Sequence, residues 1–120
     1  MKDPNKIYIS LPMGGYEKTV KKRYDEAADY LRRVFGDNIV ISGPLNINDF
    51  DDNGYIPDRS GEREHPWEFY IGEDIKELLT CGMIFMTRGW AWSSGCKIER
   101  AVANAYNIAI IEARDHLEKL

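Results

Sequence analysis

The sequence predicts a doubly wound α/β fold: a mostly parallel sheet of about four to five strands, Rossmann-like or flavodoxin-like, with helices on both faces. Short segments rich in β-branched and aromatic residues alternate along the chain with longer amphipathic segments. The short segments are apolar on both faces, which is typical of parallel strands that helices cover on both sides. With 120 residues and 43% hydrophobic content, the chain is expected to form a single domain over 1–120.

The predicted elements follow the order β-α-β-loop-α-β-α-β-α. Strands are predicted at residues 6–10, 39–43, 83–87 and 108–111. Helices are predicted from residue 16 to Gly36, from 66 to 80 and from 95 to 106, with a short terminal helix at 112–120. The connection at 44–65 is longer than the usual ~4–6 residues, and we interpret it as a lid loop.

The composition narrows the classes of partner. The 16 Lys and Arg residues and 20 Asp and Glu residues give a net charge of −4, which provides no broad basic surface for a polynucleotide. The sequence shows neither a secretory signal nor an apolar run long enough to cross a bilayer, so a membrane partner is not expected. Cys81 and Cys96 lack metal-site spacing and are expected to be buried and reduced. These features predict a cytoplasmic protein.

In a sheet of this kind, ligands bind at the carboxyl ends of the strands. The segments to consider are therefore residues 10–15, 43–48 and 88–94. The Gly14-Gly15 turn allows the backbone to approach a ligand, and the helix that follows favours an anion at its N-terminus. A tight turn that binds nothing explains the same two glycines equally well.

Two carboxylates are candidates for chemistry. Asp74 lies at the edge of the apolar stripe of its helix, where it either needs a buried partner or is a solvated acid. Glu99 is predicted in the first turn of the helix after Ser93-Ser94-Gly95, where it either faces a ligand or complements the helix dipole. Two carboxylates directed at one crevice would suit glycosidic chemistry.

No metal and no cofactor are predicted. Residues 48–56 match part of a calcium loop through Asp49, Asp51 and Asn53, but Ser60 occupies the position of the bidentate glutamate. We interpret this segment as an acidic turn. His65 has no Cys or His nearby with which to share a metal and is assigned no role.

Trp90 and Trp92 follow the third predicted strand. Their rings can stack on a base or another ring of a ligand, or they can cover the end of the sheet or a subunit interface. The sequence favours neither reading over the other.

Three segments of the chain form a recognisable set. They are Ile7-Tyr-Ile-Ser-Leu-Pro-Met-Gly-Gly15, the Asp-Ile-Lys-Glu-Leu-Leu segment that Asp74 opens, and Ser93-Ser-Gly-Cys-Lys-Ile-Glu99 with Ala101 and Ala103. Taken together, they resemble the nucleoside 2-deoxyribosyltransferase family, and most closely its small branch of deoxynucleoside monophosphate N-glycosidases. One departure is Lys97, where the family commonly has glycine. Lys97 can contact an anion or simply face solvent.

The resemblance implies a role for each matching residue. Glu99 would be the nucleophile, Asp74 would position or protonate, and Tyr8 would orient the nucleophile. The phosphate of a monophosphate would lie near Ser93 and the Gly14-Gly15 turn. Together with the strand ends, this gives the candidate substrate-binding residues, which are Ser10, Met13, Gly14, Gly15, Trp90, Ser93 and Gly95.

The expected function is cleavage or exchange of the N-glycosidic bond of a (deoxy)nucleoside or its 5′-monophosphate. The expected partner is a small molecule, and the resemblance further implies a homodimer or higher homo-oligomer. A non-catalytic nucleotide-binding or sensor module on the same fold is the alternative, since one fold hosts many functions. A structural protein that assembles through Trp90 and Trp92 is a third possibility.

Overall fold

The computed structural model describes residues 2–13, 19–45, 47 and 67–113. Four strands and three helices alternate along these residues, and a short 3-10 helix, Trp90–Trp92, follows the third strand. The elements in chain order are β1 (Asp3–Ser10), α1 (Val20–Phe35), β2 (Val40–Ser42), α2 (Trp67–Leu78), β3 (Cys81–Met86), α3 (Ser94–Ala105) and β4 (Ala109–Glu112). Among the described helices, none is both long enough and apolar enough to span a bilayer.

The four strands form one parallel sheet in the order β2-β1-β3-β4. Tyr8 on β1 pairs with Ser42 on one side and with Ile84 on the other, so β1 lies inside the sheet. The predicted α/β fold with a parallel sheet is therefore confirmed. The carboxyl ends of β1 and β3 are adjacent, because Ser10 pairs with Met86.

The two faces of the sheet carry separate halves of the core. Successive residues of a strand point to opposite faces, and Ile7 accordingly packs with Leu31 of α1. Tyr8 points the other way and packs with Leu78 of α2 and Ala103 of α3. Helices therefore cover both faces, as the apolar strands predict.

Strand β1 begins three residues before its predicted start. The backbone N–H of Asp3 donates to the carbonyl of Thr80 at 2.9 Å, and Asp3 pairs with Cys81. Gly82 allows this approach: a Cβ at Gly82 would stand 2.7 Å from the Cα of Pro4. Close backbone contact, rather than side-chain pattern, thus extends the strand.

The other described bounds lie within two residues of the predicted ones, except for the start of the first helix. That helix is described from Val20, and residues 16–18 lie outside the described part. Of the predicted lid loop, only residues 44, 45 and 47 are described. The Gly14-Gly15 turn, the calcium-like segment, His65 and most of the predicted terminal helix also lie outside the described residues.

Candidate active site

Strand β1 supplies two hydroxyl groups to the same face of the sheet. Tyr8 and Ser10 are two positions apart, so their side chains project in the same direction. Both residues are fully buried. Their face is the one that α2 and α3 cover, which places both hydroxyls where helix side chains can meet them.

Helix α3 begins one residue earlier than predicted. Ser93 is its N-cap, and the Ser93 hydroxyl accepts a hydrogen bond of 3.2 Å from the backbone N–H of Cys96. Ser94 is therefore the first helical residue, and Glu99 is the sixth. The prediction that Glu99 lies in the first turn is wrong. The interaction with the helix dipole falls off within that turn, so the dipole does not account for Glu99.

Glu99 is buried beneath the sheet and is held by both strand hydroxyls. Tyr8 Oη donates to Oε2 at 2.5 Å, and Ser10 Oγ donates to Oε1 at 2.7 Å. Only 4% of Glu99 is exposed. Each carboxylate oxygen thus has one hydroxyl donor, and the hydrogen bonds fix the side chain at the junction of β1 and α3.

Burial sets the charge state of Glu99. It raises the pKa of the carboxyl to about 7, against the opposing effect of the hydrogen bonds from Tyr8 and Ser10. The negative charge of Asp74 raises this pKa further. Burial likewise raises the pKa of Tyr8 well above its usual value, and the charges of Glu99 and Asp74 add to that effect. Tyr8 therefore remains a hydrogen-bond donor at neutral pH.

Asp74 projects from α2 and ties that helix to the segment after β2. Its Oδ1 accepts a hydrogen bond of 2.7 Å from the backbone N–H of Leu45. Burial raises the pKa of Asp74 to about 6, the Leu45 bond opposes this, and the charge of Glu73 adds to it. The sequence left open a partnered or a solvated acid; the structure shows a partly buried one with a backbone partner.

The negative charge of Asp74 raises the pKa of both Glu99 and Tyr8. Of the three residues predicted to be catalytic, Tyr8 and Glu99 are in direct contact through a hydrogen bond, and Asp74 acts on both through its charge. Both carboxyls are poised to gain or lose a proton near neutral pH, a property that clusters at functional sites.

The two tryptophans after β3 differ in their surroundings. Trp90 packs against the core cluster around Tyr8, and the guanidinium carbon of Arg100 lies 4.9 Å from the centre of its ring. Arg100 in turn donates to Oε1 of Glu112 from Nε at 2.9 Å and from Nη2 at 2.6 Å. Trp92 is 88% exposed. Trp90 thus packs between the core cluster and Arg100, whereas Trp92 faces outward.

Met13, Gly95, Lys97 and the Gly14-Gly15 turn are the other residues that the sequence indicates as candidates for ligand binding. Met13 is partly buried against the core cluster on the α1 face. Gly95 has open space, because a Cβ there would meet only the Ser93 hydroxyl at 3.9 Å. Lys97 is exposed on α3. Gly14 and Gly15 lie outside the described residues.

Arg23 was not singled out from the sequence. It projects from α1, donating from Nη2 to the Arg88 carbonyl at 2.7 Å and from Nη1 to the Pro12 carbonyl at 3.4 Å. It thereby joins the segments that follow β1 and β3. No sequence signal indicates this role, because an arginine on an amphipathic helix normally faces solvent.

An open pocket of about 460 Å³ lies between α2 and the segment after β2. Leu45, the backbone partner of Asp74, is part of its wall, and Glu99 is not. Its lining residues are Gly43, Pro44, Leu45, Ile47, Glu73, Lys76, Glu77 and Thr80. The described part of the chain contains no group of three or more His, Cys, Asp or Glu residues that could hold a metal ion.

One family model matches residues 5–112, and its description is "Domain of unknown function (DUF4406)". The match spans β1 to β4 and includes Tyr8, Ser10, Asp74 and Glu99. No curated protein matches the chain. No solved structure matches it either.

Proposed function

We propose that this chain, which belongs to the DUF4406 family, is an enzyme that cleaves or exchanges the N-glycosidic bond of a (deoxy)nucleoside or its 5′-monophosphate. One observation carries the proposal: Glu99 is a buried carboxylate with a hydroxyl donor on each oxygen. The charge of a second carboxyl, that of the partly buried Asp74, acts on Glu99. The resemblance to the nucleoside 2-deoxyribosyltransferase family gives the same two residues their roles.

In the first step, Glu99 acts on C1′ of the sugar. The C1′–N bond breaks through an oxocarbenium-like state, and its electron pair leaves with the base. The ionised Glu99 stabilises the positive charge that develops on the sugar, and one of its oxygens then forms a bond to C1′. Tyr8, which donates to Oε2, orients the carboxylate, so little reorganisation is needed as the charge develops.

Asp74 manages the proton of the leaving base. Its raised pKa of about 6 lets it carry a proton close to neutral pH. Donation to a ring nitrogen of the base would make the base a better leaving group. The hydrogen bond from Leu45 fixes the orientation of the carboxyl while it does so.

In the second step, an acceptor releases the sugar from Glu99. Water attacks C1′, the bond to the Glu99 oxygen breaks, and a carboxylate takes the proton of the water. A second base in place of water gives transfer instead of hydrolysis. Two displacements at C1′ predict overall retention of configuration.

Assembly and location belong to the same proposal. We expect a homodimer or larger homo-oligomer, and the exposed apolar side chains of Trp92 and Ile98, which are 88% and 42% exposed, support a contact there. Light scattering from fully active protein that showed only monomer would contradict this. The free, buried thiols of Cys81 and Cys96 support a reducing compartment such as the cytoplasm.

The decisive experiment is a base-release assay. The purified protein is incubated with a panel of nucleosides, deoxynucleosides and their 5′-monophosphates, and free base is separated by chromatography. Glu99→Gln serves as the matched control, since it keeps the shape of the side chain and removes its charge. We expect base from at least one substrate with the native protein and a large loss with the variant.

The same panel separates the alternatives. A nucleotide-binding module would show a rise in melting temperature with one of these ligands and no free base. A purely structural protein would show neither effect. Either result would contradict the enzymatic proposal.

A further inference from the structure

We propose that Ser10 is a positioning residue for Glu99, whose hydroxyl, opposite that of Tyr8, holds the carboxylate in one orientation and favours its ionised form. This inference rests on the proposed function, in which Glu99 must be ionised and aimed at C1′. It differs from the sequence-based expectation that Ser10 binds substrate. Ser10 is 0% exposed, and its hydroxyl is already directed at Oε1 of Glu99.

The backbone of Ser10 is fixed from the neighbouring strand. Its carbonyl accepts hydrogen bonds of 3.0 Å from both the backbone N–H and the hydroxyl of Thr87. Ser10 also pairs with Met86 in the sheet. The Ser10 hydroxyl is therefore presented from a rigid position, which is what a positioning group requires.

A single hydrogen bond does not define the orientation of a carboxylate. The terminal torsion of a glutamate is broad and roughly two-fold, so a carboxylate held at one oxygen can still rotate. Donors on both Oε1 and Oε2 remove that freedom. Tyr8 alone would anchor Glu99, whereas Tyr8 and Ser10 together define the plane from which an oxygen approaches C1′.

Ser10 also affects the pKa of Glu99. The ionisable groups that interact electrostatically with Glu99 come from three elements: Tyr8 on β1, Asp74 on α2 and Cys96 on α3. Burial and the charge of Asp74 raise the pKa of Glu99, and the hydrogen bonds from Tyr8 and Ser10 lower it. The two hydroxyl groups thus stabilise the ionised form of Glu99, as a neighbouring cation does for many buried carboxylates.

The first test is Ser10→Ala, read out by the titration of Glu99 itself. The protein is labelled with ¹³C at the glutamate carboxyl carbon, and the Glu99 signal is assigned by its absence in Glu99→Gln. Losing one hydrogen bond to the ionised form should move the titration midpoint upward by about one pH unit. Circular dichroism confirms that each variant is folded.

Ser42→Ala is the matched control. Ser42 is also a buried serine on a strand, and its hydroxyl donates to a carboxylate, Oε2 of Glu77, at 2.5 Å. This control removes the same atoms from the same kind of contact outside the site. The Glu99 midpoint should stay where it is in the native protein.

The second test is the pH profile of base release. Below the midpoint, a shift of one pH unit leaves about tenfold less ionised Glu99, so kcat/KM of Ser10→Ala should be about tenfold lower there. The gap should narrow at high pH, where Glu99 is ionised in both proteins. KM should change little, because the Ser10 hydroxyl contacts Glu99 rather than the ligand.

The outcomes separate this inference from the function on which it rests. An unchanged Glu99 midpoint in Ser10→Ala overturns the role of Ser10, even if the native protein releases base. A loss of activity that is equal at every pH, or a rise in KM alone, also overturns it. A raised Glu99 titration midpoint in Ser10→Ala, in a protein that releases no base, supports the positioning role of Ser10 and contradicts the proposed reaction.

Discussion

The hydroxyl of Tyr8 donates to Oε2 of Glu99 at 2.5 Å, although the two residues stand 91 positions apart in the chain. The contact joins the central strand β1 to the second turn of α3. A glutamate at this position is desolvated, and its hydrogen bonds offset part of the free-energy cost of its burial. The following expectations depend on this contact and on its surroundings.

Replacement of Glu99 by Gln should abolish covalent chemistry while the fold remains. The loss of negative charge should reduce turnover by at least ~10²–10³, the effect of deleting one preorganised stabilising group. Intact-protein mass spectrometry with a slow 2′-fluoro nucleoside should show a trapped sugar on the native protein only. A trapped sugar that maps to another residue would show that the nucleophile is assigned incorrectly.

The same substitution should make stability less dependent on pH. The pKa of Glu99 is raised from 4.5 to about 7 in the folded state, so the folded protein holds this proton more tightly than the unfolded chain. This tighter proton binding contributes about 3 kcal/mol to the free energy of unfolding below pH 4.5. The contribution is lost as the pH rises through 7.

Urea denaturation at pH 5 and pH 8 measures this effect. Glu99→Gln should be close to native stability at pH 5 and more stable than the native protein at pH 8. An equal difference at both pH values would contradict the raised pKa.

Asp74→Asn should slow the reaction without preventing attack by Glu99. Losses of ~10²–10⁴ are typical when a proton-transferring group is removed. Trapped sugar should still accumulate on Glu99, since the covalent step needs the Glu99 carboxylate. Glu68→Gln, an exposed acid on the same helix, is the control and should keep native turnover. Full activity in Asp74→Asn would remove Asp74 from the mechanism.

Two glycine substitutions should have opposite effects on the free energy of unfolding. Ala at position 82 would place a Cβ 2.7 Å from Pro4 Cα and 2.8 Å from the Asp3 carbonyl oxygen, and this backbone cannot move easily. We expect Gly82→Ala to lower stability by about 1–3 kcal/mol. Chemical denaturation of the purified variant measures the change.

Gly72→Ala is the counterpart within helix α2. A Cβ at position 72 meets nothing within 4 Å, and alanine favours the helix. This variant should be more stable by about 0.5–1 kcal/mol. Equal effects of the two substitutions would show that the approach of Pro4 to Gly82 is not tight.

Much of the fold follows from local pattern. The alternation of Ile7 and Tyr8 predicts a strand buried on both faces, and the three- and four-residue spacing around Leu31 predicts α1. Such patterns contain no information on backbone contacts between distant segments. The early start of β1 at Asp3 depends on Thr80 and Gly82, so the local pattern does not predict it.

In the candidate site, too, the local sequence pattern predicts which residues matter but not which distant groups they contact. The position of Glu99 after Ser93 indicates a site residue, but its place in the second turn depends on the helix beginning directly after Ser93, which the hydrogen bond from the Cys96 N–H to the Ser93 hydroxyl shows. The partner of Asp74 is a backbone N–H, that of Leu45, which no residue type signals. The role of Ser10 required the structure, since a serine at a strand end suits many functions.

The position of β1 inside the sheet has a consequence for the synthesis of this protein. Strand β1 is synthesised before its β3 partner, in which Ile84 pairs with Tyr8, and Glu99, the hydrogen-bond partner of Tyr8, follows 91 residues after it. Long-range pairing of this kind slows folding, because the chain must close a large loop before any contact compensates for the lost entropy. The nascent chain therefore leaves the ribosome with β1 unpaired on its β3 side. We expect chaperones that bind apolar segments to recognise Ile7, Tyr8 and Ile9 during that interval.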